Sequence, residues 1–539
     1  MTTRRSFLAA GSATALSLLT KRRVHSTSAD HDLILRGGTV FDGTGAPGRE
    51  LDVGISNGRI AELAPSIAGR GREEVDTRGL VVAPGFIDLH SHADSALFED
   101  PRAESVIRQG ITTIVGGADG SSRAHGSPAR PFAAYFDSID RLQPACNVAG
   151  NVGLGSVRGA VVGNDDRPAT ASELESMRSL VERALADGAC GASSGLEYTP
   201  GAFASRDELI ALCKPLAARG LVYATHMRNE DDRLLEAIDE SIAVAKGAGC
   251  GLQISHLKTQ GPRNWKSLDT VFARIEAERV AGLDVAFDRY PYLAYATGLT
   301  NLFPVWSRDG GMAAFFRRLD DASDGPRMRT ETLAKIELLG GWDNVQITSV
   351  RAVEDRDAEG ARLGAYAKRS NTDPYDRTVQ LLRRSDGNVS MIGFAMSEKN
   401  LERILAHPLG MVCTDGGGFA IDGPTRRGSP HPRGIGSFPR VLGRYVRERG
   451  TLTMASAIHK MSALPASRVR LTDRGTIAVG FWADVTVFDA AWITDKATFE
   501  APFQYPDGMR LVLVNGVVAL RNGERSASGT GRALRMGTR

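Results

Sequence analysis

Four of the ten histidines in this chain stand where they could hold a metal ion. His90 and His92 form an HxH at the end of the apolar run GFIDLH. Residues i and i+2 of a strand project to the same side, so both imidazoles can face one cavity. His226 ends the run LVYATH and His256 ends LQISH, 30 residues later, which is the length of one strand–helix unit. Asp415 ends the run MVCTD. Imidazole and carboxylate donors suit Zn²⁺, as one ion or two, with Mn²⁺ or Fe²⁺ as other divalent candidates. The chemistry that such a set supports is the activation of water: a bound Zn²⁺ brings the pKa of its water to about 7.

Those residues need a frame that gathers them. Between residues 84 and 470, eight short apolar runs alternate with amphipathic stretches: 85–90, 112–117, 146–153, 191–197, 221–226, 252–256, 284–288 and 411–415. Stretches such as 171–188 and 206–220 carry apolar residues at helical spacing. Strand alternating with helix means a parallel sheet, and eight such units predict an α/β fold, a (β/α)₈ TIM barrel. The histidines and Asp415 then lie at the carboxyl ends of the strands, the face on which barrel active sites sit. A ninth strand pattern, NVSMIGFAM at 388–396, does not fit this count, and the charged, helical stretch 306–387 reads as an insertion. Residues 30–83 and 471–535 are rich in strand patterns. Asn57-Gly58 and Asn515-Gly516 mark hairpins. A small β-sandwich domain built from both terminal segments is expected.

Composition narrows the partners. Of 539 residues, 42% are hydrophobic and 24% charged, which excludes a disordered or fibrous chain. The formal net charge of +3 gives no basic footprint for nucleic acid. The five cysteines form no CxxC pair and read as buried free thiols. Residues 1–29 carry Arg4-Arg5, then Ser6-Phe7-Leu8 and a modest apolar run, the pattern of a twin-arginine signal peptide cleaved after Ala29. The protein is therefore expected to be periplasmic or secreted. No run is long enough to span a bilayer, which takes about 20 apolar residues. The oligomeric state is left open.

The stretches PGFIDLHSHAD, ATHMRNE, ISHLK, DRYPY, TDGG, GFWADVTVFD and LVNGVV resemble the amidohydrolase superfamily and, within it, the N-acyl-D-amino-acid deacylase (D-aminoacylase) family, from about residue 32 to 535. The resemblance implies a metal-centred barrel that hydrolyses the amide of a small N-acyl amino acid to a carboxylate and a free D-amino acid. His90, His92, His226, His256 and Asp415 would be metal ligands, and Asp415 would also be the general base that passes the water's proton to the leaving nitrogen. Two carboxylates compete for the bridging position. Asp119, in VGGADG, stands where the family commonly has a metal-binding Cys. Glu197 ends the fourth strand, where many superfamily members carry a carboxylated Lys or a Glu. Glu197 is favoured as the bridge, with Asp119 as a ligand or a support to one. Lys258, Tyr290 and Arg433 would bind the α-carboxylate. Arg228 and Glu230 would orient His226, line the pocket, or form an ion pair. Asp288 reads as a cap on the seventh strand, and His125 and His431 as loop residues. Two departures, Ala296 where the family often has Ser and Leu154 where it often has His, keep a dipeptidase or cyclic-amide hydrolase as the alternative. A metal-binding protein without turnover belongs to a third class, and Asp415 beside four histidines argues against it.

Overall fold

The computed structural model describes residues 30–525 and 529–537, so the segment read as an export signal lies outside the described residues. Eight parallel strands form the barrel: Phe86–Asp88, Ile111–Gly116, Asn147–Gly150 continued by Val152–Gly153, Gly191–Gly195, Val222–His226, Gly251–Ile254, Val285–Arg289 and Gly410–Val412. They pair in chain order. The ring closes between its last and first strands, where the Asp415 N–H donates to the His90 carbonyl and the His92 N–H to the Gly416 carbonyl, each at 2.9 Å. The strands are almost wholly buried, as expected where helices cover one face and barrel side chains fill the other. That is why they read as short runs of apolar and small residues without Lys, Arg or Glu inside them.

The helices bury one stripe each. Ala171–Ala186 starts at a capping box in which Thr170 and Glu173 satisfy each other's backbone N–H groups. It packs Met177, Leu180, Val181, Ala184 and Leu185 inward, the 3.6-residue period of an amphipathic helix. All five cysteines are buried and unpaired. Among the described residues, no helix is long and apolar enough to cross a membrane.

The ninth strand pattern belongs to an inserted subdomain. Val389–Phe394 is the central strand of a separate antiparallel sheet, between Ala294–Gly298 and Val345–Val350. Helices including Gly311–Asp320, Asp324–Leu339 and Pro374–Arg384 complete it, around a core with Phe315, Ile336, Ile347 and Leu381. The inserted unit thus runs from about 294 to 396, wider than 306–387, because its first strand directly follows the seventh barrel strand and its last precedes the helix Glu398–Ala406.

Both terminal segments meet in one nine-stranded sheet. Val81–Pro84 pairs antiparallel with Val485–Phe488 and joins the two halves. Leu33, Leu35, Val53, Ile55, Val485 and Val487 alternate onto one buried face. At both hairpins Asn and Gly take positive φ (53° and 75° at Asn57-Gly58, 54° and 81° at Asn515-Gly516), the geometry that tight hairpins require. Residues 529–537 leave this sheet and lie on the barrel: Val148 donates to the Arg532 carbonyl and Leu534 to the Val148 carbonyl.

A buried polar knot fastens the sheet to the barrel. Asp484 is ion-paired with Arg474 and accepts from Asn147 Nδ2 at 3.1 Å and from the Asn515 N–H at 2.6 Å. Arg474 donates to Asn515 Oδ1 at 2.7 Å. Removing one partner of a buried ion pair strands the other charge, which costs about 3–5 kcal/mol. Arg474→Met is therefore expected to lower stability by about 3 kcal/mol in urea unfolding; a midpoint equal to that of the parent would remove the knot from the interactions that hold the domains together.

Candidate metal centre

The loops at the carboxyl ends of the strands converge on Asp119. The turn Ala118-Asp119-Gly120 is pressed against the fourth strand: the Gly120 N–H donates to Ser193 Oγ at 3.0 Å, and Ser193 Oγ donates to the Gly117 carbonyl at 2.6 Å. A Cβ on Gly120 would lie 2.7 Å from the Gly195 nitrogen, so only glycine allows this approach. Asp119, His256 and Asp415 all have left-handed backbones, φ 51°, 35° and 48°. Such conformations cost of order 1 kcal/mol each for residues other than Gly and gather at functional sites. The Asp415 turn is held from below by the Thr414 N–H donating to Asp88 Oδ1 at 2.9 Å.

The resulting cluster has two halves that share Asp119. His90, His92, Asp119 and Asp415 form one group, and Asp119, His226 and His256 the other. Asp119 oxygens lie 3.3 Å from His90 Nε2, 3.4 Å from His92 Nε2, 3.8 Å from His226 Nδ1 and 3.6 Å from His256 Nε2. Asp415 Oδ1 lies 3.5 and 3.2 Å from the His90 and His92 Nε2 atoms. His226 Nδ1 and His256 Nε2 face each other at 2.9 Å. His90 Nε2 and Asp119 Oδ1 are buried without a hydrogen-bond partner. Buried polar atoms are rarely orphaned, and orphaned donors on imidazole and carboxylate converging on one point fit a divalent cation.

The electrostatics agree. Burial alone would raise the Asp119 carboxyl, but the charges of His90 and His256 hold it well below the usual range. Burial disfavours the His92 imidazolium, yet hydrogen bonds to Asp119 and Asp415 push its pKa up to about 9. Protons kept on such imidazoles are those that a bound metal displaces. Behind three of the rings a carboxylate faces the outer nitrogen: Asp288 at 3.5 Å from His90 Nδ1, Glu197 at 3.5 Å from His226 Nε2, and Glu230 at 3.1 Å from His256 Nδ1. Carboxylates so placed fix the tautomer and aim of a metal-binding histidine.

The comparisons with known proteins bear on this geometry. The Amidohydrolase family model matches residues 418–520. An N-acyl-D-glutamate deacylase of Alcaligenes xylosoxydans xylosoxydans is 37% identical over 90% of this chain and 93% of its own length. A D-aminoacylase of the same organism is 35% identical over 94% and 98%. The chain belongs to this deacylase family of amidohydrolases. A solved N-acyl-D-glutamate deacylase from Bordetella bronchiseptica, complexed with zinc and a phosphonate inhibitor that mimics the tetrahedral intermediate, matches this amidohydrolase with a TM-score of 0.81 at 34% identity, covering 94% of this chain and 99% of that one.

Not every expected residue of the amidohydrolase lies where the sequence suggested. Asp119, not Glu197, stands between the two halves. The fourth strand stops at Gly195, and Glu197 lines the cavity at the outer nitrogen of His226, 3.5 Å away, not between the two halves. Arg228 is not in the cavity above the histidines. It is held by Glu240 at 2.9 Å and by the Ala202 carbonyl at 2.6 Å and lines a separate groove with Arg206 and Arg233. Lys258 reaches the cavity but is clamped by Glu230, both oxygens at 2.6 Å. Arg433 donates to Asp415 Oδ2 at 2.6 Å, and its guanidinium lies 4.7 Å from the centre of the Tyr290 ring. Tyr290 is fully buried, its hydroxyl without a partner. Asp288, beyond capping its strand, accepts from the His256 N–H at 2.7 Å and from Gln253 at 2.8 Å. His431 accepts from the Arg433 N–H at 3.0 Å and so fixes the start of that loop.

The cavity above the histidines has a volume of about 410 Å³. Tyr198, Tyr295, Asn301, Leu302, Lys335 and Met391 line it, and sequence reasoning missed all six. Lys335, on the insert helix Asp324–Leu339, is ion-paired with Asp231. Burial opposes its charge, but Glu197 and Asp231 more than offset that and keep it protonated. The one available signal was that the insert is charged; nothing local says that this lysine folds back onto the rim.

Proposed function

We propose that this chain hydrolyses the amide bond of N-acyl-D-amino acids, releasing a carboxylate and a free D-amino acid, with Zn²⁺ or a related divalent ion held by His90, His92, Asp119 and Asp415 on one side and by Asp119, His226 and His256 on the other. The observation that carries this reading is Asp119 within 3.8 Å of four imidazoles, with Asp415 beside the same group. Once bound, the metal supplies a nucleophile from water at neutral pH and an acid to polarise the carbonyl.

The protein's own groups do the rest. Asp415 takes a proton from the water as its oxygen bonds to the carbonyl carbon, then delivers that proton to the leaving nitrogen as the C–N bond breaks. Burial would raise its carboxyl, but the Arg433 guanidinium, His256 and His90 keep it ionised, as a base must be. Arg433 has its second amino group 3.4 Å from the Ala296 carbonyl, and this arm faces the cavity to receive an α-carboxylate. Glu230 takes up the charge of Lys258 and Asp231 that of Lys335; Asp415 holds one arm of Arg433, so its second arm is the donor assigned to that anion.

A panel of N-acetyl-D- and N-acetyl-L-amino acids, dipeptides and hydantoins tests the reading. Turnover of D-derivatives at least about 100-fold above their L-counterparts is expected. Hydrolysis of hydantoins with none of N-acetyl-D-amino acids would replace it by a cyclic-amide hydrolase. Chelation is expected to abolish turnover and to lower the melting temperature. A ligand at about 1,000 times its Kd contributes roughly 4 kcal/mol to the folded state, so restoring Zn²⁺ should return both. A melting temperature indifferent to chelator would count against a metal in this cluster. We propose separately, from Arg4-Arg5 and the apolar run that follows, that residues 1–29 are an export signal; replacing Arg4 and Arg5 together by Lys should then retain the protein in the cytoplasm.

A further inference from the structure

A second cavity, about 890 Å³, opens beside the first and shares Ala296, Gly298, Asp415 and Arg433 with it. Two cavities that meet at the proposed base give one substrate room on both sides of the scissile bond, and each falls within the volume range of small-molecule sites. Two of the four shared residues, Ala296 and Gly298, are small. A Cβ on Gly298 would find only ordinary contacts, Thr300 Oγ1 at 3.7 Å and the Val389 carbonyl at 4.0 Å, so the space beside it is open. One wall of the second cavity is the insert, through Ser349, Arg351, Asn388 and Ser390, and the other is the loop after the last barrel strand, through Gly416 and Gly417. Insert and loop are tied together by the Ser429 N–H donating to the Thr348 carbonyl at 2.7 Å.

The lining combines apolar surface from Val350, Val389, Phe419 and Pro430 with a positive charge. Apart from Asp415 it contains no carboxylate, and it holds hydroxyls, an amide and the guanidiniums of Arg351 and Arg427. Arg427 is engaged by both oxygens of Glu99, at 2.7 and 3.1 Å. Arg351 lies 3.6 Å from Asp386, with both side chains about two-thirds exposed, a contact too long and too wet to satisfy it. The smaller cavity holds the histidine cluster and Arg433, the group assigned to the α-carboxylate, and so takes the amino-acid half. The acyl half then leaves past Ala296 and Gly298 into the larger groove.

Resting on the deacylase reading, we propose that this groove is an acyl-group subsite and that it favours acyl groups ending in their own carboxylate, of the succinyl or glutaryl type, with Arg351 receiving that end. The test compares N-acetyl, N-hexanoyl and N-succinyl derivatives of one D-amino acid on the metal-loaded enzyme. The N-succinyl compound is expected to have a kcat/KM about fivefold above the N-hexanoyl one, mainly through KM. Arg351→Glu should abolish that preference. Gly298→Leu, at an ordinary φ of −72°, should lower kcat/KM for both long acyl groups relative to acetyl. Should Arg351→Glu fail to fold, free glutarate inhibiting the parent enzyme competitively, and more strongly than hexanoate, supports the site. Hydrolysis of the N-acetyl compound with no succinyl preference, with a preference unmoved by Arg351→Glu, or with hexanoate the stronger inhibitor overturns the subsite and leaves the deacylase intact. A gain that follows a carboxylate on the amino-acid side chain instead of the acyl chain also overturns it. Failure to hydrolyse any N-acyl-D-amino acid overturns the reading on which it rests.

Discussion

Asp415→Asn is expected to lower kcat about 1,000-fold while leaving bound metal close to the parent's amount. The magnitude is that of removing a general base, roughly 10² to 10⁴ in rate. Asn is the informative replacement because it keeps the shape and accepts the left-handed backbone, φ 48°, that Asp415 adopts. It also leaves an oxygen to accept the hydrogen bond that Arg433 now makes at 2.6 Å, so the loop should hold. What disappears is the capacity to carry a proton from water to nitrogen. Four imidazoles and Asp119 remain to hold metal, so elemental analysis should separate loss of chemistry from loss of metal. A kcat within about tenfold of the parent would take the base role away from Asp415.

The legible parts of this molecule are those where burial dictates composition. All eight barrel strands show in the sequence because strands covered on both faces are largely apolar, and six of the eight runs stop at a His, Asp or Glu. The insert's first strand, AYATG, has no such signature. It is a half-buried strand whose partner lies nearly a hundred residues on, so pairing rather than pattern defines it. The choice between Asp119 and Glu197 was equally out of reach: each follows a barrel strand, and only the packing of Gly120 against the fourth strand shows which one turns inward. Lys258 and Arg228 were visible as cations, but not their partners Glu230 and Glu240, because loop packing decides which carboxylate a long side chain meets. The histidines were legible because each stands at the carboxyl end of a barrel strand or within four residues of it, which fixes their position on one face of the barrel.

That difference between Asp119 and Glu197 has a measurable consequence. Asp119→Asn is expected to weaken metal affinity about 100-fold or more and to lower the stoichiometry, because it removes the one negative charge that stands within 3.8 Å of all four imidazoles. Asn again suits the backbone, φ 51°, so a loss cannot be blamed on the turn. Glu197→Gln removes a charge of the same sign from the same cavity, but of the four imidazoles its carboxylate meets only His226, at the outer nitrogen, 3.5 Å away. A carboxylate in that place steadies a ligand and does not share the ion, and its loss should cost about tenfold in affinity. Titration of both apo variants with Zn²⁺ in competition with a chelating dye ranks them directly. Asp119→Cys adds a third point: a thiolate is a softer donor, so this variant should keep Zn²⁺ while losing relative affinity for Mn²⁺. The opposite ranking, with Glu197→Gln stripped of metal and Asp119→Asn still loaded, would move the shared ligand to the fourth strand and require the 118–120 turn to serve the fold alone.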